Sequence, residues 1–403
     1  MVTAEIDATP RRTRPKDRKW QILATAADMF RTHGYAEVGM SDIAATVGIV
    51  PSALYRHYRS KQDLLAAVLD DALDSYARAL ADVADPAEVG ERLAGATLES
   101  RAFDLIWTRD RGHLSCAEYN ALVQRVRVLA ARVSELISMK CADGGMPSDT
   151  IAWAVMSVME WPSHRELEVI TGEQVPLLSA VADSIVRQGC APDQPPPPSG
   201  SATAPTPLEP DAGLLPASRR EALLNTAITL FATRGYPNVS LDDIGEVVGI
   251  AGPSVYNHFG SKREILVTGL TRAFEVLWLD VGQALRQTTD PAEALDALIV
   301  RHARFAFDHW DLATVCLSHF TLLDEQAQQV LGRSYIEYVA EYRRLLMSCR
   351  PELRPDQAQS LVDLALAVNT GLVRVPGIRD DTLPHYSGQL ARAVLFTPLT
   401  SAR

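Results

Sequence analysis

The chain has 403 residues, 47% of them apolar and 22% charged, with a formal net charge of −11. That length implies two to four globular domains at roughly 100–200 residues each, and no apolar run nears the ~20 residues of a spanning helix, so a soluble globular class is expected. The acidic balance argues against a nucleic-acid partner unless basic residues are concentrated locally.

They are concentrated at the start. The opening MVTAEIDATPRRTRPKDRK carries a basic cluster with no apolar stretch behind it, so it is neither a secretory signal nor a membrane anchor, and a cytoplasmic location is expected. Between Pro10 and Lys61 ten Lys and Arg stand against four Asp and Glu, an electrostatic footprint for phosphate. Ile22, Leu23, Ala26, Ala27 and Phe30 repeat at helical spacing in a first helix that stops at Gly34. SDIAATVGIVPSALYRHY then reads as a short helix over Ile43–Val47, a tight turn at Gly48 and a second short helix entered at Pro51. SKQD begins a fourth helix, with Ser60 as its N-cap, Asp63 as capping-box partner, and Lys61 left free to face a phosphate. A long amphipathic helix follows in EYNALVQRVRVLAARVSELISMK.

The stretch APDQPPPPSGSATAPTPLEPDAGLLPAS holds nine of the 24 prolines and reads as a linker. At ~3.1 Å per residue, about 25 such residues reach on the order of 75 Å, enough for two halves to pair side by side. Beyond it the first segment returns, 201 residues on: Phe30/Phe231, Gly34/Gly235, Tyr35/Tyr236, Gly48/Gly249, Tyr55/Tyr256, His57/His258, Ser60/Ser261 and Lys61/Lys262 coincide without a gap. The repeat is less basic, with five Lys and Arg against four Asp and Glu from Ser218 to Arg263, so the first copy is expected to supply most of the affinity for a phosphate backbone. EQAQQVLGRSYIEYVAEYRRLLMSC marks a second long helix.

With these residues in view, the run from the first helix through G-I-x-x-x-x-[LV]-Y-x-H-[YF]-x-S-K resembles the DNA-binding domain of the TetR family of bacterial regulators, over about 50 residues in each half. One tandem unit per chain is also similar to the single-chain double-TetR regulators of actinobacteria, which include a repressor of a mammalian-cell-entry lipid-import operon. The resemblance implies an all-α chain of two tandem units, each a helix-turn-helix domain plus a helical effector and pairing domain, joined as an intramolecular pseudo-dimer. The expected boundaries are a basic arm over 1–16, DNA-binding domains over 17–66 and 217–267, effector domains over 67–190 and 268–403, and a linker over 191–216. It places Tyr55, His57 and Lys61, with Tyr256, His258 and Lys262, against the DNA backbone, and counts Ser41 and Ser240 among the DNA-binding residues. Pro51, Ser52 and Ala53, with Gly252, Pro253 and Ser254, fall near base edges. The sequence departs from the family pattern at the helix starts, where Val50 and Ala251 stand for a usual Ser and Gly39 for a usual Thr. Arg56 and Asn257 occupy one repeat position and suit guanine and adenine respectively, or solvent and phosphate. Arg12 and Arg14 belong to an arm that enters a minor groove or is a solubilising tail.

In the effector halves, Phe103, Trp107, Trp161, Phe307 and Trp310 are either core or the lining of a pocket for a small apolar effector, for which the resemblance implies acyl-CoA, fatty acid or a sterol derivative. His302 and His309 share a helix face near His319 without a matching third ligand, so no metal and no cofactor is expected. Five widely spaced cysteines without a C-x-x-C pair argue against a disulfide framework. No catalytic motif is present, and the expectation is a ligand-responsive repressor of lipid or sterol uptake and catabolism genes, not an enzyme. It would bind a double-stranded operator, with no membrane partner and further self-association open. The alternative is a lipid-binding or protein-interaction module whose helix-turn-helix is not used.

Overall fold

The computed structural model describes residues 15–100, 103–141, 145–164, 174–192, 216–318, 323, 325–375 and 377–399. Most of the expected linker, with Arg12, Arg14 and His319, lies outside them, as does the side chain of Trp161. Among the described residues every regular element is a helix, which makes the chain all-α. They fall into two compact units, one within Met1–Asp74 and Ala102–Leu122, the other within Ser75–Arg101 and Val123–Arg403.

The first unit begins with α1 (Pro15–His33), α2 (Met40–Val47) and α3 (Pro51–Leu54). Ile22, Ala26, Phe30, Ile43, Ala44 and Leu54 are buried and form its core. Gly48 adopts the left-handed conformation that closes α2, and the Ile49 N–H returns to the Ala44 carbonyl at 2.9 Å. α4 (Lys61–Ala81) starts at Ser60, whose hydroxyl accepts the Asp63 N–H at 3.0 Å. α6 (Phe103–Asp110) and the start of α7 (Cys116–Ser138) complete the unit, with α6 packed on α1. α5 (Val89–Glu99) belongs to the second unit.

The second unit repeats the head in α10 (Arg219–Arg234), α11 (Leu241–Val248) and α12 (Gly252–Val255). Gly249 is left-handed as Gly48 is, and a Cβ on Gly245 would lie 2.8 Å from the Ile250 carbonyl, so the α11–α12 crossing requires glycine there. α13 (Lys262–Gln287), α14 (Pro291–Asp308), α15 (Trp310–Ser318) and α16 (Glu325–Cys349) follow.

The same unit contains a four-helix bundle of α8 (Ser148–His164), α9 (Gln174–Gly189), α17 (Pro355–Leu372) and α18 (Leu383–Leu395). Two of these helices precede the linker and two end the chain. Ile151, Val155 and Val158 on α8, Val181 and Ile185 on α9, Leu361, Leu364 and Val368 on α17, and Leu390 and Val394 on α18 are fully buried, the large apolar burial that holds such a bundle together. Gly371 on α17 lies against Ser157 on α8, where a Cβ would overlap the serine side chain.

One expectation fails outright. Cys141 and Cys190 form a disulfide that ties the α7–α8 connection to the end of α9, beside a 2.9 Å hydrogen bond from the Met146 N–H to the Gly189 carbonyl. Sequence spacing missed it because the pairing is set by the tertiary approach of two segments 49 residues apart.

Candidate nucleic-acid interface

Each head presents the end of its third helix to solvent. Tyr55 and Tyr256 are 52% and 60% exposed, far more than a tyrosine placed for packing. Ser41, Pro51, Ser52, Arg56 and His57 are exposed and Ala53 is half-buried; in the second head Pro253 and Asn257 are exposed, with Gly252, Ser254 and His258 half-buried. Between these residues the inward neighbours Leu54 and Val255 are fully buried, so packing fixes the direction in which the others point.

The helix starts differ as the sequence differs. Val50 and Ala251 have no capping side chain. At α2 the carboxylate of Asp42 accepts the Gly39 N–H at 2.9 Å, with no reciprocal bond available from glycine. At α11 Ser240 and Asp243 make the full reciprocal box, which occupies the Ser240 hydroxyl and keeps the Asp243 carboxyl below its usual range. At α13 the Ser261 hydroxyl accepts the Glu264 N–H at 3.1 Å, while the Glu264 carboxylate reaches Gly260, one residue further back than a standard box.

Lys61 and Lys262 are not free, as the sequence had suggested. Lys61 Nζ lies 4.3 Å from the centre of the Tyr35 ring and donates to the Ala36 carbonyl at 3.2 Å. Lys262 Nζ lies 4.2 Å from the Tyr236 ring and donates to the Tyr236 and Val239 carbonyls at 2.7 and 2.8 Å. Burial lowers both ammonium pKa values, and Asp110 and Glu37 oppose this at Lys61 as Asp243 does at Lys262. Each lysine therefore braces the loop between the first two helices of its head. The tyrosines beneath were visible as repeat matches, but the cation resting on each ring was not.

Two further sets of residues escaped the sequence reading. Arg18 and Arg219, an identical pair at the repeat offset, donate to the Val47 and Val248 carbonyls at 3.3 and 3.2 Å and fasten the first helix of each head to the end of the second. The offset alone was enough to flag them. In the first unit Arg109, at the end of α6, donates to the Phe30 and Arg31 carbonyls at the end of α1 and pairs with buried Asp110 at 2.9 Å. In the second, Thr229 on α10 donates to Asp311 on α15 at 2.8 Å. The carboxylates Asp110 and Asp311 coincide at the repeat offset, but their partners Arg109 and Thr229 do not recur.

Of the aromatic candidates, Phe103 is buried and Trp107 stacks between it and Tyr119, with ring centres 6.0 and 5.4 Å away. Phe307 is buried, and the Arg379 guanidinium lies 4.8 Å from Trp310 and 6.0 Å from Phe307. Phe103 and Trp107 thus stand on α6, which grips α1, while Trp310 opens α15, which grips α10. Among the described residues no three His, Cys, Asp or Glu side chains converge to hold a metal ion. His302 is buried, with Nδ1 3.0 Å from the Tyr338 hydroxyl. No described helix is long and apolar enough to cross a membrane.

Residues 22–68 and 223–268 both match the family described as bacterial regulatory proteins, tetR family, so the similarity covers the two heads. Three named regulators show how far similarity extends. The regulator BetI of Agrobacterium fabrum is 28% identical over 155 residues, 38% of this chain and 74% of that protein. The transcriptional repressor KstR2 of Mycolicibacterium smegmatis is 37% identical over 93 residues, 23% of this chain and 45% of that protein. The transcriptional activator FasR of the same organism is 40% identical over 81 residues, 20% of this chain and 37% of that protein. The chain thus spans less than half the length of the last two.

Proposed function

We propose that this chain is a ligand-responsive repressor that reads an operator with two non-identical tetR-type heads joined covalently. The observation that carries the reading is the repeated presentation of an exposed Tyr, a neighbouring His and a polar or basic residue between them, on two heads whose cores are otherwise sealed. Tyr55, His57, Tyr256 and His258 would meet phosphate, the fronts of α3 and α12 would meet base edges, and Arg56 and Asn257 would separate the half-sites. Ser41 and Ser240 would lie at the backbone, and an arm bearing Arg12 and Arg14 would add minor-groove contact. Packing of α8 and α9 on α17 and α18 supports an intramolecular pseudo-dimer, one chain supplying the bundle that two would otherwise share.

Regulation would pass through α6 and α15. An effector lodged against Phe103 and Trp107, or against Phe307 and Trp310, shifts the helix that grips the first helix of its own head and selects a conformation that no longer fits the groove. The guanidinium of Arg379 beside Trp310 supports an apolar effector with an anionic end, such as a fatty acid or acyl-CoA, over a neutral sterol. The chain acts as a regulator and not as an enzyme.

Footprinting of the purified protein on duplex DNA from the region upstream of its own gene tests this. Protection of two adjoining half-sites of different sequence is expected, relieved by palmitoyl-CoA. Absence of protection at physiological salt, with palmitoyl-CoA binding retained, would instead favour a lipid-binding module that does not use its heads.

A further inference from the structure

The two heads are not equivalent at the face assigned to DNA. In the first turn of α11 the exposed Asp242 holds the repeat position of Ser41. A Cβ on Gly252 would fall on the Asp242 Oδ1 atom, so the carboxylate lies directly over the front of α12. The first head has a proline at that place, Pro51, and the neutral hydroxyl of Ser41 beside it. A Cβ there would displace the carboxylate from this position, which makes Asp242 and Gly252 a matched pair.

Most of the surrounding charges follow the same trend, with exposed Arg263 in place of Gln62 running against it. Arg220 donates to the His258 carbonyl, stacks 3.9 Å over the Phe259 ring and lies 3.6 Å from Glu264, so its charge is used within the head. Its repeat counterpart, Lys19, is exposed. Arg56 and Arg59 are exposed on the first head, where the second has the neutral Asn257 and Gly260.

We propose that Asp242 is a specificity-determining residue of the second head: its carboxylate, held in front of α12 by the space at Gly252, repels the phosphate backbone. The second head then docks only where base contacts compensate, while the first binds duplex of any sequence more readily. Discrimination is obtained by weakening the wrong complex rather than strengthening the right one. The proposal rests on the DNA-binding reading above.

The test uses the full chain with Asp242→Asn, which keeps the shape opposite Gly252, and the reciprocal Ser41→Asp, which places a carboxylate favourably in the first turn of α2. Binding is measured by fluorescence anisotropy over a salt series on two probes, a duplex from the chain's own upstream region and a random-sequence duplex of equal length. Asp242→Asn should bind the random duplex about fivefold tighter at low salt, the scale of one charge acting across about 4 Å of water, with a steeper salt dependence. The ratio of the two affinities should narrow, and Ser41→Asp should weaken binding to both probes. A wild-type chain that binds DNA, with Asp242→Asn leaving both affinities and the ratio unchanged or binding more weakly, overturns the assignment. A wild-type chain that binds neither probe removes the DNA-binding reading and this proposal with it.

Discussion

Glu160 on α8 and Arg374, just past the end of α17, form an ion pair at 3.1 Å between residues 214 positions apart. It joins the helical part before the linker to the one after it. Arg374 is 14% exposed and Glu160 36%, so water screens the pair and its worth is about 1 kcal/mol. A double-mutant cycle with Glu160→Gln and Arg374→Gln, read by urea denaturation, should give a coupling of that size. A coupling indistinguishable from zero would show that apolar burial alone joins the two parts.

The apolar part is sensitive to one atom. Because a Cβ on Gly371 would overlap the Ser157 side chain, Gly371→Ala must separate α8 from α17 or force a rotamer change, at a cost of about 1–3 kcal/mol despite the higher helix propensity of alanine. Ser157→Gly should recover part of that loss in the double variant. A Gly371→Ala chain as stable as the wild type would mean that the crossing has slack.

How much of this was legible depends on whether a feature repeats. The heads were readable because Gly48 and Gly249, Ile43 and Ile244, and Tyr55 and Tyr256 recur at a fixed offset, and each has one physical reason to do so. Lys61 and Lys262 were recognised as paired but misjudged as free, because a lysine at a helix start shows no sign of the ring and carbonyls that a returning loop brings to it. The grip of Arg109 on α1 and the Cys141–Cys190 bond depend on tertiary approach, and none of these three residues recurs at the repeat offset. The resemblance implies an intramolecular pseudo-dimer, but the contacts of the α8, α9, α17 and α18 bundle at Ser157, Gly371, Glu160 and Arg374 carry no local signature.

His302 gives a pH dependence of known sign. Burial lowers its pKa from 6.5 to about 4, so the native imidazole stays neutral where the unfolded one takes a proton. The unfolded state therefore holds more protons between those values, and stability present in full above pH 6.5 is lost as pH falls toward 4. Between about pH 7.5 and about pH 5 the wild type should lose about 2 kcal/mol more than His302→Gln, which keeps a partner for Tyr338 without titrating. Parallel urea stability profiles for the two chains would refute this.

The Cys141–Cys190 bond closes a loop with a sequence separation of 49 and pins the last turn of α9. Restricting an unfolded loop of that size stabilises the native state by about 2–4 kcal/mol. Dithiothreitol should lower the melting temperature of the wild type and leave that of the Cys141→Ser, Cys190→Ser double variant, already lower, unchanged. Equal melting of all samples would mean that the two sulfurs do not pair in solution.

Arg56 and Asn257 offer the cleanest comparison of the two heads, because both are exposed and neither has a bracing role such as that of Lys262. Charge reversal at either lysine would loosen its own head as well as repel phosphate, and a weaker complex could not be assigned to one cause. Arg56→Ala should cost about 1–3 kcal/mol on the operator and relax the base preference of one half-site. Asn257→Ala should cost less in affinity, leave the salt dependence unchanged and relax the other half-site, since no charge is removed. Selection of preferred sequences from a randomised duplex pool with each variant reads both effects. If each substitution relaxed the same half-site, or neither changed any base preference, the two positions would be solvent or phosphate contacts, and discrimination would have to come from the fronts of α3 and α12.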